Sequence, residues 1–254
     1  MHVLIVHAHP EPASFNAALK GAAMAEITGS GHTVEVSDLY AEGFQPEAGR
    51  HDFDSVADAA RFHYQSEQLL AATQGSFSAE VRREQARVRR ADLLILQFPL
   101  WWGAPPAILK GWFDRVLAYG FAYVDGRRFD SGLMQGRRSL ICVTTGGGAD
   151  RFAPDSNYGE IDRVLWPVQQ LTLRYMGYTA PAPFVCYAAP RVPPEQRALY
   201  LSQWKARIAA ELARPVSSQP LPDATSLVVM NTSRSWSTAA DAPRNQQNRE
   251  TPHV

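Results

Sequence analysis

Leu93-Leu94-Ile95-Leu96-Gln97-Phe98-Pro99-Leu100-Trp101-Trp102-Gly103-Ala104-Pro105-Pro106-Ala107-Ile108-Leu109-Lys110 is the stretch that decides the fold. Leu93 to Leu96 form an apolar run too short to span a membrane and too uniform for a half-exposed strand, which predicts a parallel strand buried on both faces. Two prolines stiffen the turn that follows and lead into a helix, whose first position tolerates proline because the missing N–H has no partner there anyway. Trp101 and Trp102 are thereby held at the carboxyl end of a sheet strand, where open α/β sheets bind ligands. A flat aromatic ligand is expected beside them.

The same strand-then-helix unit recurs in both directions along the chain. Val3 to Val6 reads as a strand, and Ser14 to Thr28 carries helical spacing (Phe15, Ala18, Leu19, Ala22, Ala23, Ile27) closed by Gly29 and Gly31. A short strand follows at Val34 and Val36, a helical piece at Ser66 to Ala72, and a charged helix capped by Ser78 and running to Arg90. Beyond the central stretch, with its helix at 105–118, come a strand at Ser139 to Val143, a helix from Ile161 to Met176, a strand at Phe184 to Cys186 and a last helix from Pro193-Pro194-Glu195 to Leu212. Parallel strands need crossover connections, so five strands alternating with helices predict an α/β fold. Its form is a three-layer, doubly wound, five-stranded parallel sheet of order 2-1-3-4-5. The connections at 41–76 and 145–160 are longer than joining requires and are expected to form the mouth of a site. Residues 1–212 make the domain. Residues 213–254 are rich in Ser, Pro, Asn, Gln and Thr and are expected to be a polar, disordered tail, with Leu227-Val228-Val229-Met230 as an apolar patch that docks on the body or on a partner.

Across 254 residues, 25 Lys and Arg balance 25 Asp and Glu, so no overall field favours nucleic acid, an anionic membrane or an acidic partner. No apolar run approaches the ~20 residues of a membrane span. The amino terminus enters a strand directly, without a charged leader, and the expectation is a cytoplasmic protein with no membrane insertion. Cys142 and Cys186 lie inside strand-like apolar runs and read as small buried hydrophobes rather than a disulfide.

A glycine-rich dinucleotide fingerprint, a Walker phosphate loop, a Gly-x-Ser-x-Gly elbow and a His-Glu-x-x-His zinc helix are all absent from the sequence. His7-Ala8-His9 puts two histidines on one strand face, a spacing that suits a metal, but the other histidines supply no helical pair with an acidic neighbour. No metal is expected, and His7 reads as a buried structural residue. Ser14 is a natural N-cap, and Ser14-Phe15-Asn16 is either an ordinary helix start or a phosphate site built from free N–H groups. Thr144-Thr145-Gly146-Gly147-Gly148 is either a flexible turn or a place where backbone approaches a ring with no Cβ intervening. These clusters follow strands one, three and four, beside the switch point of the predicted sheet.

Taken together, these segments resemble the flavin-dependent NAD(P)H:quinone oxidoreductases of the DT-diaphorase type, within the flavodoxin-like fold. The carrying residues are Leu4 to His9 with Ser14-Phe15-Asn16, Ser37 to Tyr40, Gln97 to Phe113, Phe121-Ala122-Tyr123, Thr144 to Gly147 and Leu165-Trp166-Pro167. The resemblance implies FAD rather than FMN, with its diphosphate at His9, Ser14, Phe15, Asn16 and Ala17. The isoalloxazine is implied to lie against Pro99, Leu100, Trp101, Trp102, Thr144, Thr145, Gly146 and Gly147. Arg197 is implied to reach the adenine half from the neighbouring subunit of a homodimer. The same resemblance makes Gly146, Gly147 and Tyr158 the groups that meet charge on the reduced flavin, and Trp102, Tyr123 and Phe152 the substrate walls. Phe152 and Tyr158 stand where animal members place a tyrosine and a histidine; His63 replaces a glutamine and Asp125 one of two tyrosines. The implied activity is ping-pong transfer of hydride from NADH or NADPH through the flavin to quinones or similar flat acceptors. A flavin-binding cytosolic regulatory subunit of a potassium efflux system is the alternative within the same family. A one-electron carrier fits a neutral chain poorly.

Overall fold

The computed structural model describes residues 1–229. Five strands, β1 (His2–His7), β2 (Thr33–Asp38), β3 (Leu93–Pro99), β4 (Arg138–Thr144) and β5 (Phe184–Cys186), form one sheet of order β2-β1-β3-β4-β5, with every neighbouring pair parallel. The predicted architecture is therefore the observed one. Among the described residues seven α-helices accompany the strands: α1 (Phe15–Gly29), α2 (Tyr64–Gln74), α3 (Ala79–Arg90), α4 (Ala107–Val116), α5 (Ile161–Val168), α6 (Pro194–Leu212) and α7 (Ala224–Val229). None of the described helices is long and apolar enough to cross a membrane.

Alternation along the strands divides the core in two. Val3, Ile5, Leu93, Ile95, Leu140, Cys142 and Cys186 face α1 and α6, where Leu19, Ala23, Ile27, Trp204 and Ile208 meet them. Leu4, Val6, Leu94, Leu96, Phe98, Ile141 and Val143 face the other layer, with Val81 and Val88 of α3, Trp112 and Val116 of α4 and Leu165 of α5. Each such side chain removed from water contributes roughly 1.5–3 kcal/mol. Both cysteines are free and buried, and burial pushes the Cys142 thiol up and Cys186 to about 12, so both remain protonated thiols at neutral pH.

Three sequence expectations change. The helix at Ile161 to Met176 is split: α-helix gives way after Val168 to a π-helical turn over Gln169–Arg174. Pro167 lies inside α5, where it has no N–H to donate to the Arg163 carbonyl four residues back. The helical piece near 66–72 extends to Tyr64–Gln74, ending on Gly75 in the left-handed conformation. Within the segment expected as tail lies the helix α7, whose Ala224 and Val228 are buried against Tyr119, Val124 and Leu133, with Leu227 beside them. The apolar patch thus docks on the body through Leu227 and Val228; Met230 and the remaining tail lie outside the described residues.

The long 41–62 connection is anchored on α4. Gly111 lies so close to it that a Cβ there would fall 2.1 Å from the Pro46 carbonyl oxygen. Arg115, one turn on, donates to Asp52 Oδ1 at 2.6 Å and to Glu80 Oε2 at 2.5 Å, and also to the Gln45 carbonyl. Glu84, equally buried, is compensated by Ser37 Oγ, the Trp112 indole N–H and Arg87.

Candidate active site

The ends of β1, β3 and β4 come together as predicted, and two adjoining clefts open there. One, of about 430 Å³, is lined by His9, Ser14, Phe15, Asn16, Pro99, Leu100, Trp101, Thr144, Thr145 and Gly146, and continues to Ala189, Pro190 and Arg197. The other, of about 540 Å³, is lined by Leu100, Trp102, Gly103, Thr145, Gly146, Gly147, Phe152, Tyr158 and Val164. Leu100, Thr145 and Gly146 belong to both.

The first cleft is built on the start of α1. Ser14 Oγ accepts from the Ala17 N–H at 3.0 Å, and the Ser14 N–H donates to the Glu11 carbonyl at 3.2 Å. Of the first-turn donors that have no intrahelical partner, this leaves the Phe15 and Asn16 N–H groups, at the positive end of the helix dipole. The Ala17 N–H, also expected at the phosphate, is engaged by the Ser14 cap. The Asn16 carboxamide is also committed, donating to Thr144 Oγ1 at 3.2 Å and accepting from Gln97 Nε2 at 3.3 Å, so Asn16 offers the cleft its backbone. Gln97 further donates to the Asn16 carbonyl at 2.5 Å. This tie between β3, α1 and β4 escaped sequence reasoning; its signal was one amide inside an otherwise apolar strand. Ser14→Ala should cost about 1 kcal/mol of stability through the lost cap. Urea unfolding of cofactor-free protein checks this, and an unchanged midpoint refutes it.

His9 accepts from the Glu11 N–H at its Nδ1, 3.0 Å away, while burial holds its pKa below the ordinary value despite Glu11. A neutral ring with Nδ1 accepting must carry its proton on Nε2, so His9 keeps a donor free. His7 turns instead toward Asp38, 3.4 Å away, with Lys20 2.5 Å from the same carboxylate, and burial with the nearby Lys20 charge lowers its pKa to about 4. No group of three metal-ligand side chains gathers among the described residues.

The second cleft rests on the loop after β4. Its carbonyls are drawn back onto the β5–α6 connection: the Ala189 N–H donates to Thr145 O at 3.0 Å, the Ala188 N–H to Gly147 O at 2.8 Å, and Arg191 to Gly146 O. A planar trans peptide points its N–H opposite its C=O, so the Gly146, Gly147 and Gly148 N–H groups turn away from that connection. A Cβ built on Gly146 meets nothing within 4 Å, so the loop offers a ring a bare backbone surface. Phe152 packs edge-on to Tyr158 at 5.6 Å and tilted against Tyr187 at 5.7 Å. Trp102 and Gly103, with φ of 52° and 71°, form the two-residue turn between Trp101 and Ala104, which exchange N–H to carbonyl bonds at 3.0 Å. That turn leaves the Trp102 indole fully exposed.

Tyr123 is not in either cleft; it lines a separate one with His63, Tyr64, Gln65 and Phe113, under the 41–76 connection, and its ring meets Tyr119 and Tyr175. Hence the 145–160 connection forms the mouth of the paired clefts and the 41–76 connection does not. Arg197 lines the first cleft of its own chain, because α6 packs along α1 and begins beside its amino terminus.

The donor set fits a flavin: free helix N–H groups for a diphosphate, a side-chain-free glycine loop for the ring, and aromatic surfaces opposite. Comparison with known proteins agrees. The sequence model of the family described as having the flavodoxin-like fold matches residues 1–212. Human ribosyldihydronicotinamide dehydrogenase [quinone] is 42% identical over 207 residues, covering 81% of this chain and 90% of that protein. Rat NAD(P)H dehydrogenase [quinone] 1 is 40% identical over 206 residues, 81% of this chain and 75% of its own. A Klebsiella pneumoniae crystal structure assigned to the quinone reductases superposes with a TM-score of 0.81 at 34% identity, over 88% of this chain and 89% of that one. The chain belongs to the flavodoxin-like family of NAD(P)H:quinone oxidoreductases.

Proposed function

We propose that the protein is a flavin-dependent oxidoreductase that takes hydride from NADH or NADPH and passes it to quinones or similar flat acceptors. The observation that carries this reading is the pair of joined clefts, one ending on free helix N–H groups and the other floored by Gly146 and Gly147. A bound flavin supplies the redox chemistry, accepting and returning two electrons as hydride. The protein's part is to hold and surround it. Phe15 and Asn16 N–H groups and the His9 Nε2 donor receive the diphosphate, and the Gly146 and Gly147 amides meet charge on the ring's polar edge. Trp102, Phe152 and the exposed Tyr158 present flat faces at the open side, so that donor and acceptor stack in turn at one place.

FAD is favoured over FMN because the first cleft continues past the helix terminus to Pro190 and Arg197, where an adenylate half fits. A homodimer would cover Trp102 and the exposed Trp166, and a cytoplasmic location accords with two free buried thiols. One shared stacking place predicts ping-pong kinetics: parallel double-reciprocal lines when nicotinamide and menadione are varied together. Anaerobic NADPH or NADH should bleach the flavin bands of the purified protein, and menadione should restore them. Intersecting lines would refute the shared place, and a protein that takes up neither FAD nor FMN would refute the function.

A further inference from the structure

At the ring cleft Phe152 has no polar group, and Tyr158 is exposed and packed on Phe152. His9 lies in the other cleft and is neutral. Yet a ring that gains two electrons and one proton acquires negative charge, and the three loop N–H groups carry only partial positive charge. One full cation is bonded to the loop itself. Arg191 follows β5, donates through Nη1 to the Gly146 carbonyl, and forms no salt bridge with any described carboxylate. Its backbone is fixed as well, the Arg191 N–H donating to the Ala188 carbonyl at 2.7 Å, and Ala188 itself is held at a φ of 49°. The other cation at this rim, Arg151, lies 5.9 Å over the Tyr158 ring and has no such bond to the loop.

We propose that Arg191 is the positioning residue that orients the Gly146–Gly147 peptide and biases the site toward the reduced flavin. It acts in two ways. By pulling the Gly146 carbonyl back, it aims the Gly147 N–H the opposite way; and its unpaired charge polarises that peptide further. Water screens an exposed guanidinium while the cleft is open, but a stacked nicotinamide or acceptor displaces that water and strengthens the field. The inference rests on the flavoprotein reading and adds to it a residue outside the segments that carry the family resemblance.

Arg191→Gln keeps an N–H donor for Gly146 and removes the charge, whereas Arg191→Lys keeps the charge. The measurement is the two-electron midpoint potential of bound flavin, by spectroelectrochemical titration beside the wild type, with oxidised-flavin affinity followed by fluorescence. Arg191→Gln is expected to weaken retention of the reduced flavin relative to the oxidised form by about tenfold, a fall of about 30 mV for a two-electron couple. Arg191→Lys should recover most of it, and oxidised-flavin affinity should change by less than about threefold, or about 0.7 kcal/mol. A glutamine variant at the wild-type potential, or a lysine variant falling as far as the glutamine one, overturns the proposal. Failure of the wild type to take up flavin overturns the flavoprotein reading as well, so the two failures are distinguishable.

Discussion

Gly146→Val is expected to yield a folded protein that is purified nearly colourless. The Gly146 backbone is outside the left-handed region, so an L side chain is tolerated there, and the space around its Cβ holds no protein atom within 4 Å. Folding therefore gives no reason for glycine at this position, whereas ligand approach does. Gly146 lines both clefts, and a branched side chain would stand where the ring must lie against the loop. Flavin affinity should fall at least a hundredfold, about 2.8 kcal/mol, with Gly146→Ala about tenfold, or 1.4 kcal/mol. Thermal unfolding of the cofactor-free variants should stay within about 0.5 kcal/mol of wild type, as for surface changes generally. Full flavin content in Gly146→Val would place the ring elsewhere.

The contrast between Gly146 and Gly111 shows what the sequence revealed and what it concealed. Gly146 was legible because it follows a strand-end threonine pair and sits in a run of glycines at the carboxyl edge of a predicted sheet. Gly111 carried no such local signal; that a loop backbone crosses it depends on Arg115 and Asp52, which lie 63 residues apart in sequence. Periodicity and strand-end position marked the strands, the helices and the three clusters, because these are local signals. The surroundings of Tyr123 and Arg197 are set by how α2 and α6 pack, which no local pattern encodes. Arg191 carried no signal in the sequence at all: one exposed arginine in a proline-rich turn becomes visible only through its bond to Gly146.

Arg115→Met is expected to destabilise the chain by about 3–5 kcal/mol, the cost typical of removing one partner from a buried pair. The geometry supports the upper part of that range. Arg115 and Asp52 are each 1% exposed, and the guanidinium also reaches Glu80 and the Gln45 carbonyl. Methionine fills much of the volume but removes the guanidinium, leaving the Asp52 carboxylate with the Tyr64 hydroxyl at 2.6 Å, the Gly49 N–H at 3.0 Å and the His51 ring at 3.7 Å. For a domain of this size the melting temperature should drop by roughly 10 °C, at about 2–4 °C per kcal/mol. By comparison Asp114→Asn, which breaks the exposed Lys110–Asp114 pair, should cost about 1 kcal/mol or less. Adding Asp52→Asn to Arg115→Met should recover part of the loss, because the residue left behind then carries no charge. Recovery is the discriminating result: the penalty would lie in the stranded carboxylate, and the pair would serve to fix the 45–52 backbone over Gly111. If the double variant is no more stable than Arg115→Met, the loss comes from packing and from the Gln45 and Glu80 contacts. In either case flavin content at 10 °C should match wild type, because none of these residues lines the paired clefts.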